Sequence, residues 1–139
     1  LVTRFHCIHP KKFNKTCYSN ENSEAIKKII DTSKLFGQWN DFVVNANWTS
    51  DMKKGFFKLW VNGELVYHFV GRTVAPDDQL TVQFGIYRGK ARSSGDANHV
   101  IFYDEIRTAK SCKKMKLSKL GYSCKDLENQ KIDKIYRLQ

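Results

Sequence analysis

Phe56-Phe-Lys-Leu-Trp-Val61, Asn62-Gly63 and Glu64-Leu-Val-Tyr-His-Phe-Val70, read in succession, decide the fold class. Aromatic and β-branched residues dominate both long runs, and such side chains suit a pleated, half-buried surface. Asn-Gly between them is the strongest short hairpin signal, because a type I′ turn needs positive φ at both central residues. In the first run Phe57, Leu59 and Val61 share one face, and Lys58 and Trp60 share the other. An outward Trp60 beside Lys58 either stacks on a sugar ring or caps the core. In the return run His68 shares its face with Val66 and Val70, so a buried or half-buried histidine is the default reading.

The same period of two continues outward. Upstream, Phe42, Val44, Ala46 and Trp48 alternate with Val43, Asn45 and Asn47. Downstream, Leu80-Thr-Val-Gln-Phe-Gly-Ile-Tyr-Arg88 follows a loop over residues 71–78. A polar, Gly-bearing loop over residues 89–96 then precedes His99-Val-Ile-Phe-Tyr-Asp-Glu-Ile-Arg107. Five strands across residues 39–107 predict an all-β fold, an antiparallel sandwich or barrel. Leu59, Val61, Leu65, Phe69, Val82, Phe84 and Ile86 are the expected core.

The flanks read differently. Residues 3–9 predict a strand ended by Pro10. Residues 23–35 predict a helix, with Ile26, Ile29 and Ile30 at helical spacing behind Asn22 or Ser23 as N-cap. Residues 110–139 carry nine Lys/Arg against three Asp/Glu and read as a basic extension, with a short helix over residues 127–136. The expected division is a β-sandwich domain over residues 1–109 and the basic extension over residues 110–139.

Charge narrows the partners. In 139 residues, 24 Lys+Arg against 14 Asp+Glu leave a net charge of +10. That balance favours a polyanion: nucleic acid, an anionic membrane surface or an acidic polysaccharide. No apolar run is long enough to span a bilayer, so no membrane span is expected. Aromatics make up 13% of the chain, and rings stack on sugars as readily as on bases.

Cys7, Cys17, Cys112 and Cys124 form no CxxC pair or zinc-type cluster, so no metal is expected. Two sequence-local pairs suggest disulfides Cys7–Cys17 and Cys112–Cys124, although four cysteines allow three connectivities. Sequons at Asn14-Lys-Thr16 and Asn47-Trp-Thr49 fit an exported chain, and secretion is the expectation. The opening Leu1-Val2-Thr3-Arg4 reads as if inside a strand, as in a processed chain or a piece of a longer protein.

The segment around Tyr87 is chemically the most informative. Leu80, Val82, Phe84 and Ile86 share an apolar face; Thr81, Gln83, Gly85 and Tyr87 share the other. Gly85 leaves room for a ligand to approach between Gln83 and Tyr87. Arg88, Lys90 and Arg92 crowd cations at that end. A solvated outer face is the alternative.

Four runs carry a family resemblance: Gly37-Gln-Trp-Asn-Asp-Phe-Val-Val, Lys58-Leu-Trp-Val-Asn-Gly-Glu-Leu-Val, Gln83-Phe-Gly-Ile-Tyr-Arg88 and Val100-Ile-Phe-Tyr-Asp-Glu-Ile-Arg107. Residues 37–107 resemble the jelly-roll polysaccharide lyases of the glucuronan lyase and heparin lyase I kind. The resemblance implies a concanavalin-like jelly-roll sandwich, complete here or the C-terminal part of a larger one. It implies a catalytic tyrosine at Tyr87 and a cleft-lining polar residue at Gln83. The family's Gln-hydrophobic-His motif is matched by Cys7-Ile8-His9, where Cys replaces Gln; His9 is the implied catalytic histidine and His6 its competitor. Members of that family are longer, so a further chain or segment completing the sandwich is implied.

The implied reaction is β-elimination on a uronate polysaccharide. Gln83 and a basic side chain, Arg88 or Arg4, would neutralise the substrate carboxylate, while Tyr87 and His9 carry the proton traffic. Lys58 and Trp60 are further substrate-binding candidates. No redox or nucleotide cofactor is implied. Two rival classes stand beside it: a non-catalytic module for acidic glycans, and a general polyanion binder. No RNP-type motif, helix-turn-helix or zinc finger supports a specific nucleic-acid partner.

Overall fold

The computed structural model describes residues 2–4, 26–74, 80–85 and 100–137. A short antiparallel pair, β1 (Val2–Arg4) and β2 (Ile26–Lys28), precedes a 3-10 turn at Thr32–Leu35. The main sheet holds β3 (Phe42–Asn47), β4 (Phe56–Val61), β5 (Glu64–Val70) and β6 (Tyr136–Arg137), in that order. The first three strands are antiparallel and β6 joins β5 in parallel, so the sheet is mixed and open. Between β5 and β6 lie α1 (Cys112–Met115), a 3-10 turn (Leu117–Leu120) and α2 (Cys124–Asn129).

The β4–β5 hairpin forms where the sequence places it. Asn62 has φ 52° and Gly63 φ 83°, the doubly positive pair that a type I′ turn demands. The Asn62 side chain also accepts a 2.9 Å hydrogen bond from the Asp41 amide and donates to Asn40 Oδ1, tying the turn to the entry of β3.

Register within the hairpin shifts once. Leu59 opposes Tyr67, but Trp60 opposes Leu65, leaving Val66 as an extra residue. This bulge reverses the alternation of β5. Tyr67 and Phe69 therefore lie beside Leu59 and Val61 on one face, while Leu65 lies beside Trp60 on the other. Ile29, Ile30, Leu35, Phe57 and Tyr136 pack against the first face. Leu117 and Leu127 close over the second, with Met115, Leu120, Tyr122 and Ile132 around them.

The C-terminal layer is fastened by specific bonds. A disulfide joins Cys112 to Cys124, as expected from their spacing. Trp60 Nε1 donates to Leu127 O at 3.1 Å. Gln130 accepts from the Leu65 amide at 2.7 Å and donates to Gly63 O at 2.7 Å, fastening the turn and the start of β5. Tyr122 donates its hydroxyl proton to Asp41 Oδ2, and that bond pushes its phenol up to about 12.

At the opposite end the two backbones touch: Gly71 N donates to Gly55 O at 2.9 Å, and a Cβ on Gly55 would sit 2.0 Å from Gly71 O. Thr73 is buried there, accepting from the Thr49 amide and donating to Asn47 O.

Several expectations are corrected. Residues 80–85 and 100–107 form no strand, and their apolar side chains are not core: Val82 is 70% exposed, Phe84 62% and Phe102 76%. No described strand offers them a ladder, so alternation alone leaves them in water. The described residues hold one open four-stranded sheet beside the β1–β2 pair, with irregular and helical segments packed on it, and a jelly-roll sandwich is not shown among them. The expected helix over residues 23–35 gives way at Ile26–Lys28 to a strand paired with β1, and only Thr32–Leu35 winds into a 3-10 turn. Asp31 caps that turn by accepting from the Ser33 amide. The expected helix over residues 127–136 ends early, at Asn129, and Tyr136 turns into β6. Ile86 and the proposed Cys7–Cys17 bridge lie outside the described residues.

Candidate functional site

One half of the second sheet face is covered by the C-terminal layer; the other half carries a polar row beside the half-buried pair Phe56 and Val70. Its residues follow from alternation and register. Asn45 on β3 opposes Lys58 on β4, and Lys58 opposes His68 on β5. Directly opposed residues place their Cβ atoms about 5 Å apart, so the three side chains form one row across three strands. On β6, Tyr136 opposes Phe69 and stacks on Tyr67 at 5.0 Å, on the first face. Arg137, one residue on, therefore belongs to the second face, diagonal to His68.

This row is cationic. Lys58 and His68 are half-buried, while Asn45 and Arg137 are exposed. Burial lowers the His68 pKa from its ordinary 6.5, and the charges of Lys58 and Arg137 lower it further. The imidazole is thus held toward its neutral form, able to accept or donate one hydrogen bond. Neither ion pair formed between described residues, Lys54–Asp51 or Arg107–Glu105, touches the row.

The residues singled out in the sequence are distributed unevenly. Lys58 stands in this row. Trp60, two residues along β4 from Lys58, belongs to the covered core, 2% exposed, with its indole N–H spent on Leu127 O. That corrects the sugar-stacking expectation: the ring caps the core and has no free face. Arg4 lies in β1, opposite Ile26 in the ladder. Gln83 is exposed in the extended segment over residues 80–85. That segment meets residues 100–107 through the rings of Phe84 and Tyr103, whose centroids are 5.5 Å apart. Tyr87, Arg88, His6 and His9 lie outside the described residues.

His68 and Arg137 were not among the sequence candidates. Half-burial of His68 matches its default reading, but the convergence of charges on it is visible only through strand register. Arg137 carried no local signal, because a two-residue parallel strand depends entirely on a distant partner. Among the described residues no cluster of His, Cys, Asp and Glu is arranged to hold a metal ion. No described helix is long and apolar enough to cross a membrane.

A family model described as "Polysaccharide lyase" matches residues 6–107. No curated protein and no solved structure matches the chain significantly.

Proposed function

Because the chain belongs to the polysaccharide lyase family, we propose that its substrate is an acidic, uronate-containing polysaccharide and that it cleaves this chain by β-elimination. Family membership carries the polysaccharide and the lyase chemistry. The net charge of +10 supports the acidic substrate, since a cationic protein concentrates a polyanion around itself. A jelly-roll sandwich and an exported location belong to the same proposal, the latter supported by the Cys112–Cys124 disulfide.

In the proposed reaction a base removes the C5 proton of the uronate at the cleavage point. The electron pair left on C5 forms the C4–C5 double bond as the C4–O4 bond breaks. An acid returns a proton to the O4 leaving group. The C5 proton is weakly acidic until the adjoining carboxylate is neutralised, so the enzyme must offset that charge. Gln83 and Arg88 lie within the matched residues and are assigned this role; Arg4 lies just outside the match and is the alternative cation. Tyr87 is assigned the proton transfer at the sugar, with His9 sharing it. A phenol starts near pKa 10, so the cations around Tyr87 must favour its anionic form for it to act as base.

The test is formation of the unsaturated uronate, read by its ultraviolet absorbance, on glucuronan-like and heparin-like chains. Tyr87→Phe removes only a hydroxyl and should lower kcat by about three orders of magnitude or more while leaving binding in place. Full activity in that variant would refute the assignment. Binding without product in the wild type would give way to the glycan-binding reading.

A further inference from the structure

We propose that Asn45, Lys58, His68 and Arg137, aligned across β3, β4, β5 and β6, form a subsite that grips the carboxylates of an extended uronate chain lying across the strands. The subsite rests on the acidic-polysaccharide reading above and adds to it a binding surface that reaches beyond the matched residues. Arg137 lies outside the range 6–107 and enters the sheet only through the parallel pairing of β6 with β5.

Three observations carry this. First, Lys58 and Arg137 flank His68 with no acidic partner among the described residues, and burial together with their charges keeps the imidazole from its cationic form until an anion arrives. Second, the row is built for one shape of ligand. Strands are about 4.8 Å apart, so a polymer crossing them meets a cation or amide at each strand in turn. Arg137 presents the planar fork that matches a carboxylate, Lys58 a point charge, and Asn45 an amide for sugar hydroxyls. Third, the row offers little for stacking: the described ring beside Lys58 on this face is the half-buried Phe56. Trp60 is sealed under Leu127, and Tyr67 and Tyr136 stack on the opposite face. Single-stranded nucleic acid draws much of its affinity from base stacking on exposed rings. A charged sugar chain needs only the cations and the amide.

Titration calorimetry of the whole chain with polyglucuronate and with its carboxyl-reduced counterpart tests the proposal. Lys58→Gln and Arg137→Gln should each weaken polyglucuronate binding about fivefold. Lys119→Gln, an equal loss of charge on the C-terminal layer, should leave it unchanged. Binding of polyglucuronate should tighten as pH falls below 6.5, because a bound carboxylate favours the imidazolium, and His68→Gln should remove that dependence. In turnover, Arg137→Gln should raise KM and leave kcat intact. Equal weakening by Lys119→Gln would reduce the effect to diffuse charge and overturn the subsite. An RNA oligomer bound as tightly as polyglucuronate, with the same sensitivity to both variants, would overturn the uronate assignment. Product formation with binding unaffected by either variant would remove the subsite and leave the lyase reading standing. Weakened binding in both variants, with no product from any uronate polymer, would do the reverse.

Discussion

Residues 56–70 and the pair of segments 80–85 and 100–107 have similar ingredients and opposite fates. Both alternate large apolar side chains with polar ones. In the first, Leu59, Val61, Tyr67 and Phe69 are sealed on one face and Trp60 and Leu65 on the other. In the second, Leu80, Val82, Phe84, Val100, Ile101 and Phe102 stand exposed, and the described link between the two segments is one ring contact. The difference lies in closure. A two-residue turn brings β4 and β5 together at almost no loop cost, and each added strand or layer then finds a formed edge. Segments 80–85 and 100–107 are separated in sequence by residues 86–99, so their pairing requires more loop-closure entropy before any burial is gained.

The largest expected break in that contrast comes from Trp60→Ala. Loss of the buried indole and its bond to Leu127 O should cost about 3–5 kcal/mol in denaturant unfolding. A cost below 1 kcal/mol would mean the C-terminal layer does not seal this face. Next comes the double variant Cys112→Ser with Cys124→Ser. Freeing the chain between them should cost about 3 kcal/mol, measured as a lowered midpoint under non-reducing conditions. Gly63→Ala follows, at about 2 kcal/mol, because Gly63 holds φ 83° and a Cβ there would press 2.9 Å from the Tyr122 ring.

His68 sharpens the contrast through pH. Its folded-state pKa lies below 6.5, so the unfolded chain binds the proton more readily. Stability should fall as pH drops from 6.5 toward the folded pKa and be indifferent to His68 above 6.5. A flattened acid limb in His68→Gln, seen in melting temperature against pH, checks the sign. The smallest effect belongs to Phe84→Ala, at about 0.5 kcal/mol or less, since the ring is 62% exposed. If Phe84→Ala costs as much as Trp60→Ala, residues 80–85 are packed in solution and the contrast fails.

Legibility in the sequence follows the same division. The hairpin is readable because its turn and its aromatic content are local. Its bulge is not, since Val66 reads as ordinary alternation until Trp60 is seen to face Leu65. The C-terminal layer hides its function as a cover: Leu117, Leu127 and Ile132 are spaced irregularly among nine cations, so charge masks the apolar contacts. Of the candidate site, Lys58 and Tyr87 are singled out by alternation, whereas the catalytic roles of Tyr87 and His9 come from resemblance to other chains. Arg137 needs the register of β6 on β5, set by Phe69 and Val70 at 67 residues' distance from Tyr136 and Arg137, in no local pattern.

The bond from Trp60 to Leu127 spans 67 residues. Translation adds about 5–20 residues per second, so a nascent chain waits roughly 3–13 s between making the indole and making its cover. During that interval the hairpin displays Trp60 and Leu65 to the crowded space outside the ribosome, where a chaperone or a neighbouring nascent chain competes for them. Stalling synthesis just before and just after Leu127 should switch the indole from quencher-accessible to protected. A protected indole in the shorter chain would show that the hairpin hides it without help.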